Sequence, residues 1–223
     1  LFRSNTIKEL LKRLDNPQDK LKVVHFAGTN GKGSTMAYLE SILLCAGYSV
    51  GKYNSPVVFE ERENITVDKT PISEEDVAKY ITIIKKVSEE MVSDGLNHPT
   101  RFEIETAMAF MFFAEAELDV CLIECGMGGR DDATNVFEDK LLAVITNISL
   151  DHTKELGETI EEIKENKEGI IKNNCPVVYA GTMGSIEEIN QETAIRAAEE
   201  LQKQGEKEKK AKETIASISK KIS

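Results

Sequence analysis

A glycine-rich segment between an apolar run and a helical pattern constrains the fold of this chain more than any other feature. Residues 22–26 (KVVHF) have the composition of a buried strand, residues 28–35 (GTNGKGST) are rich in glycine, and residues 34–46 show helical periodicity. A strand that enters a helix through such a loop is part of a βαβ unit, which needs a parallel sheet with crossover helices. The sequence therefore predicts an α/β domain.

The remainder of the chain continues this alternation of strands and helices. Further strand candidates lie at residues 49–53, 65–67, 120–123, 141–146 and 177–180. Helical patterns lie at residues 7–14, 73–91, 102–117 and 159–166. Near-continuous apolar strands are typical of sheets that are covered on both faces. We therefore expect a mostly parallel, doubly wound sheet over residues 1–182.

The character of the sequence changes after residue 182. Residues 186–204 form one amphipathic helical pattern, and residues 206–213 (EKEKKAKE) are almost entirely charged. A charge run of this kind is typical of a solvated helix face or a tail. The sequence predicts two parts, an α/β domain over residues 1–182 and a helical segment with a charged tail over residues 183–223.

The charge of the chain excludes two classes of partner. It has 28 Lys and Arg against 39 Asp and Glu, for a net charge of −11. Binding to nucleic acids or anionic membranes requires a basic surface, so neither partner is expected. No apolar run approaches the roughly 20 residues of a membrane span, and the first 14 residues have no secretory pattern. The four cysteines lie in apolar surroundings, which predicts reduced, buried side chains and a cytoplasmic protein.

The glycine-rich segment has the chemistry of a phosphate loop. Successive glycines let backbone N–H groups close on phosphate oxygens, and the N-terminus of the following helix adds positive potential. Lys32 supplies a charge for the β- and γ-phosphates, and the Ser34 hydroxyl can contact Mg²⁺. The spacing departs from the pattern G-x-x-x-x-G-K-[ST], because Gly33 separates Lys32 from the hydroxyls. Residues 28–35 are therefore predicted to form a phosphate loop.

Polar residues follow several of the predicted strands at their carboxyl ends. Ser55 follows the second strand, Glu124 ends an apolar run, and His152 comes shortly after residues 141–146. Each alone has a structural explanation, as a turn residue, an ion-pair partner or a helix start. Ligands of open α/β sheets bind at this edge, however, and a carboxylate with a hydroxyl can complete a Mg²⁺ shell beside nucleotide phosphates. The sequence therefore predicts a magnesium site at this edge.

Six segments in this order resemble one family of enzymes. They are HFAGTNGKGST (residues 25–35), YNSPVVFEER (53–62), FEIETAMAF (102–110), ECGMGGRDDATN (124–135), Asp151-His152 and KEGIIK (167–172). Together they resemble the folylpolyglutamate synthase/dihydrofolate synthase family of the Mur-ligase superfamily. The resemblance covers roughly residues 5–182, and it implies a Mur-ligase-like ATPase domain.

The resemblance implies a ligation in two steps. ATP would phosphorylate the carboxylate of a folate or dihydropteroate, and L-glutamate would displace the phosphate. It also implies roles for individual residues. Lys32, Glu124, His152 and Lys167 would be catalytic, and the magnesium ligands would be Ser34, Ser55, Glu124 and His152. The phosphate-binding residues would be Thr29, Asn30, Gly31, Lys32, Gly33 and Ser34. Lys167 matches a lysine that is carbamoylated in the family, and residues 55–62 match a loop near the folate. Asp132 and Asn135 are supporting residues without an assigned role, and the resemblance implies a monomer.

Two other functions stay open at this point. Nothing after residue 186 resembles the second domain of the family, so a nucleotide-binding regulatory module without ligation is one alternative. A Mur-type ligase for another acid is the second, although residues 53–62 and 124–135 speak against it. A GTPase is not expected, because the only Asn-Lys pair, Asn166-Lys167, is followed by Glu168-Gly169 rather than by x-Asp.

Overall fold

A computed structural model describes residues 3–56 and 60–222 of the chain. Its helices are α1 (Arg3–Arg13), α2 (Lys32–Cys45), α3 (Glu74–Ser93), α4 (Arg101–Ala116), α5 (Thr153–Leu156), α6 (Ile160–Glu168) and α7 (Ile186–Ile222). Its strands are β1 (Val23–Ala27), β2 (Val50–Tyr53), β3 (Ile65–Val67), β4 (Thr70–Pro71), β5 (Val120–Glu124), β6 (Leu142–Ile145) and β7 (Val177–Tyr179). Short 3₁₀ turns cover Pro17–Lys20 and Glu61–Asn64.

The strands form one sheet in the order β4-β3-β2-β5-β1-β6-β7. The strands β2, β5, β1, β6 and β7 are parallel, whereas β3 and β4 are antiparallel additions at one edge. In the register of the two central strands, Val23 lies opposite Cys121 and Phe26 lies opposite Glu124. Strands β1 and β5 therefore end side by side at the same edge of the sheet.

Helices cover both faces of the sheet. Alternate residues of a strand point to opposite faces, so Val23 of β1 and Ile123 of β5 pack in the cluster that includes residues of α1, α3 and α4. Val24 and Leu122 pack in a second cluster with residues of α2 and α7. This arrangement explains why the strand sequences are apolar at nearly every position.

The predicted fold class, a mostly parallel and doubly wound α/β sheet, is confirmed. The predicted strands and long helices are present, and Ser73, Thr100 and Thr159 are the N-cap residues of α3, α4 and α6. The sequence patterns did not predict β4 or α5. Both are very short, two and four residues, and so leave little periodicity to detect.

Helix α7 is longer than the helical pattern indicated. It continues from Ile186 to Ile222, through the charged residues 206–213. Its first half packs on α2, and Ala194 and Ala197 are fully buried there. The division of the chain at residue 182 remains a prediction.

The expectation of four buried cysteines is wrong for one of them. Cys121 and Cys125 are buried and Cys175 is partly buried, but Cys45 is exposed. Cys45 is the last residue of α2, where the helix leaves the sheet. All four thiols are free. Among the described residues, no helix combines the length and apolar character needed to cross a bilayer.

The N-cap of α3 gives a direct test of the fold. The Ser73 hydroxyl accepts a hydrogen bond from the Asp76 N–H at 3.0 Å. We expect Ser73→Ala to lower the free energy of unfolding by about 1 kcal/mol, because it leaves this N–H without its cap. The control is Ser93→Ala at the exposed end of the same helix, with an expected change within about 0.5 kcal/mol. Urea denaturation measures both, and equal effects would contradict the capping assignment.

Candidate active site

The glycine-rich loop joins β1 to α2 in a conformation that leaves the helix N-terminus open. Gly31 has a φ of 86°, in the left-handed region, and no side chain caps the start of α2. The first N–H groups of the helix therefore lack side-chain partners and can receive an anion. Gly28 approaches β6 so closely that a Cβ there would lie 1.8 Å from Thr146 Oγ1. These are the positions at which the loop requires glycine.

Contacts with the segment after β6 hold the first part of the loop. The Thr29 N–H donates to the Asn147 carbonyl at 2.7 Å, and the Ser149 N–H donates to Thr29 Oγ1 at 3.1 Å. Asn30 forms an isolated backbone bridge with Asn147. The Thr29 hydroxyl thus serves to fix the loop. Ser34 and Gly33 are exposed in the first turn of α2.

Lys32 and Glu124 meet at the carboxyl edge of the sheet. The Lys32 ammonium lies 3.6 Å from Glu124 Oε1, and it donates to the Gly28 carbonyl at 3.0 Å. Glu124 ends β5 and is only 5% exposed. The Ser55 N–H donates to Glu124 Oε2 at 3.4 Å. The predicted residues Lys32, Ser55 and Glu124 are therefore neighbours in the structure.

The environment of Glu124 opposes its negative charge. Burial raises the pKa of Glu124, and the charge of Lys32 only partly offsets this effect. A buried carboxylate with one long hydrogen bond and one ion pair keeps lone pairs available. Glu124 is thus suited to a further positive partner.

Lys167 and His152 share a small cavity with the glycine-rich loop. The cavity has a volume of about 30 Å³ and is also lined by Gly28, Thr29 and Lys32. Lys167 lies in the last turn of α6 and is only 3% exposed, so it is not a solvated helix-end lysine. Burial, followed by the charge of Lys32, lowers the pKa of Lys167.

His152 is placed differently from the other predicted residues. It is the N-cap residue of α5 with a φ of 48°, and its side chain is 55% exposed. Its Nε2 lies 3.8 Å from Asp151 Oδ2. His152 therefore reaches the cavity from the solvent side, together with Asp151.

The loop at residues 126–130 packs tightly against the end of α6. A Cβ on Gly129 would lie 2.6 Å from the Lys167 carbonyl, and the Arg130 N–H donates to the Asn166 carbonyl at 2.8 Å. Asp132 also holds this loop in place, because it accepts a hydrogen bond from the Met127 N–H at 2.8 Å. The GMGGR sequence is thus explained by the close approach that positions Lys167.

An open groove of about 520 Å³ lies on the other side of this loop. Its walls come from the turn after β2, the start of α4 and residues 126–133, namely Ser55, Pro56, Thr100, Phe102, Glu103, Gly126, Met127, Asp131, Asp132 and Ala133. Gly126 and Met127 line both this groove and the Lys167 cavity. Of residues 55–62, predicted near the folate, residues 57–59 lie outside the described part of the chain, so that placement remains a prediction.

A larger cavity of about 810 Å³ lies at the other end of the strands, opposite the glycine-rich loop. It is lined by Lys22, Leu141 and apolar residues of α2 and α7. Lys22 and Leu141 precede β1 and β6, so this cavity faces the amino ends of the strands. It is therefore distant from the glycine-rich loop.

Sequence reasoning missed several residues that shape the site. His25, which is fully buried, and Lys140, which is partly buried, form a hydrogen bond at 2.7 Å. Asn190 of α7 is buried beside the glycine-rich loop, where a Cβ on Gly31 would lie 2.4 Å from its Oδ1. A polar residue inside an apolar strand was the available signal for His25, since it needs a partner when buried.

The pKa shift of Glu124 predicts how stability depends on pH. Because the folded state raises this pKa, the proton stabilises the fold at low pH, and that stability is lost as the pH rises above 4.5. We expect Glu124→Gln to gain stability relative to the wild type between about pH 4 and about pH 7, on the order of 1 kcal/mol. Urea denaturation across this range measures the difference.

The matched control for this prediction is Glu90→Gln, at an exposed position of α3. Its difference from the wild type should not change with pH over the same range. The prediction would be contradicted if the stability of Glu124→Gln relative to the wild type stayed constant or fell as the pH rises.

Comparison with known proteins gives consistent relatives. The chain is 44% identical over 197 residues to a dihydrofolate synthase/folylpolyglutamate synthase of Bacillus subtilis, covering 88% of this chain and 46% of that protein. A solved mutant of L. casei FPGS has a TM-score of 0.77 at 33% identity, over 88% of this chain and 48% of that one. An FPGS–AMPPCP–folate complex has a TM-score of 0.75 at 34% identity, over 86% of this chain and 47% of that one.

The chain spans about half the length of these relatives. Residues 26–221 match the Mur ligase middle domain family, and this match includes the glycine-rich loop, Glu124, His152 and Lys167. The chain therefore belongs to the Mur ligase middle domain family.

Proposed function

We propose that this chain is the ATP-binding part of a ligase that joins L-glutamate to the carboxylate of a folate or dihydropteroate. The observation that carries the proposal is the position of Lys32. Its ammonium lies between an open helix N-terminus and the buried Glu124, at the sheet edge beside a 520 Å³ groove. This arrangement joins a phosphate site to an acceptor site. The names of the relatives supply the substrate class.

The first step is the transfer of the γ-phosphoryl group of ATP to the acceptor. A carboxylate oxygen attacks the γ-phosphorus, the bond to the bridging oxygen of ADP breaks, and an acyl phosphate forms. Residues 30–34 hold the phosphates through backbone N–H groups, Thr29 fixes the loop through its hydrogen bond to Asn147, and Lys32 neutralises the charge that moves during transfer. Catalysis of this kind depends mainly on positioning and charge stabilisation.

The residues at the sheet edge fit a magnesium ion whose shell includes nucleotide phosphates. Within the described residues, no three His, Cys, Asp or Glu side chains are grouped as a self-contained metal site. Glu124 is a buried carboxylate with free lone pairs, and Mg²⁺ commonly binds one or two carboxylates together with substrate phosphates. We assign Glu124 and the hydroxyls of Ser34 and Ser55 as ligands, with His152 at the exposed side. The ion would screen the charge between the phosphates and the acceptor carboxylate.

The groove beside residues 126–133 is the proposed acceptor site. Its wall includes Phe102, whose ring stacks on Tyr53 at 6.1 Å between centroids. An aromatic wall suits a flat heterocycle, and the Ser55 end of the groove lies beside Glu124. A folate or dihydropteroate bound here would point its carboxylate toward the phosphate loop.

Lys167 is proposed to act as a carbamate. Among the described residues its ammonium makes no hydrogen bond, and its lowered pKa favours the neutral amine that reacts with CO₂. The amine nitrogen bonds to the carbon of CO₂ and releases one proton to water, which leaves a carboxylate on the side chain. This change would replace a repulsion between Lys167 and Lys32 with an attraction. The carbamate would also supply another oxygen ligand near the magnesium site.

The second step requires L-glutamate. Its amine attacks the acyl carbon, inorganic phosphate leaves, and an amide forms. The resemblance places glutamate binding in the second domain of the family, so we assign ATP and acceptor binding to this chain. We also propose that residues 1–182 form the catalytic domain and that the protein is monomeric and cytoplasmic, which its four free thiols support.

A regulatory nucleotide-binding module is the second candidate, because the open N-terminus of α2 and Lys32 would bind a nucleotide whether or not a ligation follows. ADP formation distinguishes the two. It should be measured with Mg-ATP and dihydropteroate or tetrahydrofolate, with and without L-glutamate, on this chain and on the product of the complete gene. Glutamate-dependent ADP formation supports the ligase. Binding of ATP without turnover in either protein favours the module.

Lys32 provides the sharpest test of the phosphate loop. We expect Lys32→Met to lower kcat for ADP formation by about 10²-fold or more, because it removes the charge that stabilises phosphoryl transfer. Because the Lys32 side chain is only 15% exposed, the denaturation midpoint of the variant is measured alongside to show that the fold is retained. Lys86→Met, at an exposed position of α3, is the control and should keep wild-type turnover. Equal turnover in both variants would remove Lys32 from the site.

Lys167 can be tested without an activity assay. With ¹³C-bicarbonate, we expect the wild-type chain to show a carbamate carbon resonance that disappears in Lys167→Met. It should persist in Lys164→Met, at an exposed position of the same helix. Absence of the signal in the wild-type chain, with and without Mg-ATP, would contradict carbamoylation.

A further inference from the structure

A cluster of buried and partly buried polar side chains contacts the loop at residues 126–130, and the mechanism above does not use the hydrogen bonds within it. It extends from β1 to the segments on either side of β5 and β6. Its members are His25, Cys125, Asp132, Thr134, Asn135 and Lys140. A polar network inside a protein makes the structure most rigid when every donor and acceptor has a partner. The positions of its hydrogens therefore show whether this network is complete.

The first end of the cluster is the Lys140 ammonium. It lies 2.7 Å from His25 Nδ1, 3.0 Å from Asn135 Oδ1 and 2.8 Å from the Ile170 carbonyl. An ammonium has three hydrogens and no lone pair, so it donates to all three atoms. His25 Nδ1 therefore accepts, and the proton of the neutral imidazole lies on Nε2.

The second end of the cluster requires the same tautomer. The Thr134 hydroxyl lies 2.6 Å from Asp132 Oδ1, and it must donate there because a carboxylate only accepts. Its oxygen then accepts from His25 Nε2 at 2.8 Å. Both ends of the cluster thus require one continuous series of hydrogen bonds, in which Lys140 donates to His25, His25 donates to Thr134 and Thr134 donates to Asp132.

This chain of hydrogen bonds connects the two elements that hold Lys167. Asp132 accepts from the Met127 N–H within the loop at residues 126–130. Asn135 donates to the carbonyls of Arg130 and Gly169 at 3.1 and 3.0 Å, and so bridges that loop to the end of α6. Lys140 donates hydrogen bonds to Asn135 Oδ1 and to the Ile170 carbonyl, and so connects Asn135 to the segment after α6.

We propose that Lys140 is a positioning residue: it orders the His25–Thr134–Asp132 hydrogen bonds and, with Asn135, fixes the loop at residues 126–130 against the end of α6. This inference rests on the proposed function for its effect on catalysis, because the elements it joins line the Lys167 cavity and the acceptor groove. It uses no contact between Lys140 and a substrate.

A purely structural role is a poor explanation for this lysine. Burial lowers the pKa of Lys140 to about 8 and holds the pKa of His25 well below its usual range, so the fold works against both charges. Replacing a buried ionic group together with its partners by apolar side chains is often neutral or stabilising, whereas removing one partner leaves the others unpaired and costs stability. A set of apolar residues would therefore satisfy a purely structural need, so the polar set at this position points to order at the site.

The test compares Lys140→Met with Lys86→Met, an exposed control on α3. We expect Lys140→Met to lower the denaturation midpoint of the chain, because His25 Nδ1, Asn135 Oδ1 and the Ile170 carbonyl lose their donor. Amide hydrogen exchange of segments 126–135 and 166–171 should accelerate by about tenfold more than exchange in the other segments, the scale of a lost hydrogen bond. In the product of the complete gene, kcat should fall by about 10²-fold with little change in KM for ATP, because misplacement of the site by about 1 Å has this effect.

Asn135→Leu removes the hydrogen bonds of Asn135 to Lys140, Arg130 and Gly169, and it decides the question if Lys140→Met does not fold. It should accelerate exchange in the same two segments. Unchanged exchange in these segments, or an equal acceleration throughout the chain, would overturn the proposal. If the wild-type protein shows no glutamate-dependent ADP formation, the proposed function fails, while the exchange comparison still decides the role of Lys140.

Discussion

The parallel register of β1 and β5 is the constraint on which the site depends. Pairing Phe26 with Glu124 brings the last residue of β5 level with the point where β1 enters the glycine-rich loop. Lys32, the first residue of α2, then meets Glu124 without any unusual backbone beyond the loop itself. A shift of this register by one residue would turn the Glu124 side chain to the opposite face of the sheet, away from Lys32.

Around this pair, the structure concentrates charged groups that are costly to bury. Glu124, Asp132, Lys140 and Lys167 all have pKa values shifted toward their neutral forms by burial. Structural needs alone do not explain so many opposed charges at one edge of a sheet, and perturbed ionisable groups tend to gather at functional sites. Two apolar clusters, one on each face of the sheet, provide the stability that offsets their burial.

The sequence was most informative where chemistry is local. The N-caps of helices α3 and α6 lie at the positions where the helical patterns of residues 73–91 and 159–166 begin, and the apolar run before Glu124 specified both β5 and its end. The glycine-rich loop was also recognisable, because its glycines and Lys32 lie within a few residues of one another.

Contacts between distant residues could not be predicted in the same way. The His25–Lys140 hydrogen bond joins residues 115 positions apart, and Asn190 approaches Gly31 only because α7 packs on α2. The burial of Lys167 depends on the close packing of Gly129 on the end of α6. One sequence carries periodicity and spacing but no information on which of many polar residues will share an interior.

The short outer strands have a consequence for how this domain can associate with other proteins. At one edge of the sheet, β4 has two residues and one is Pro71, which has no N–H to donate; at the other, β7 has three. Partners that bind by adding a strand need a longer row of unpaired backbone groups. Recognition of this domain by another protein or domain should therefore use side-chain surfaces and loops rather than extension of the sheet.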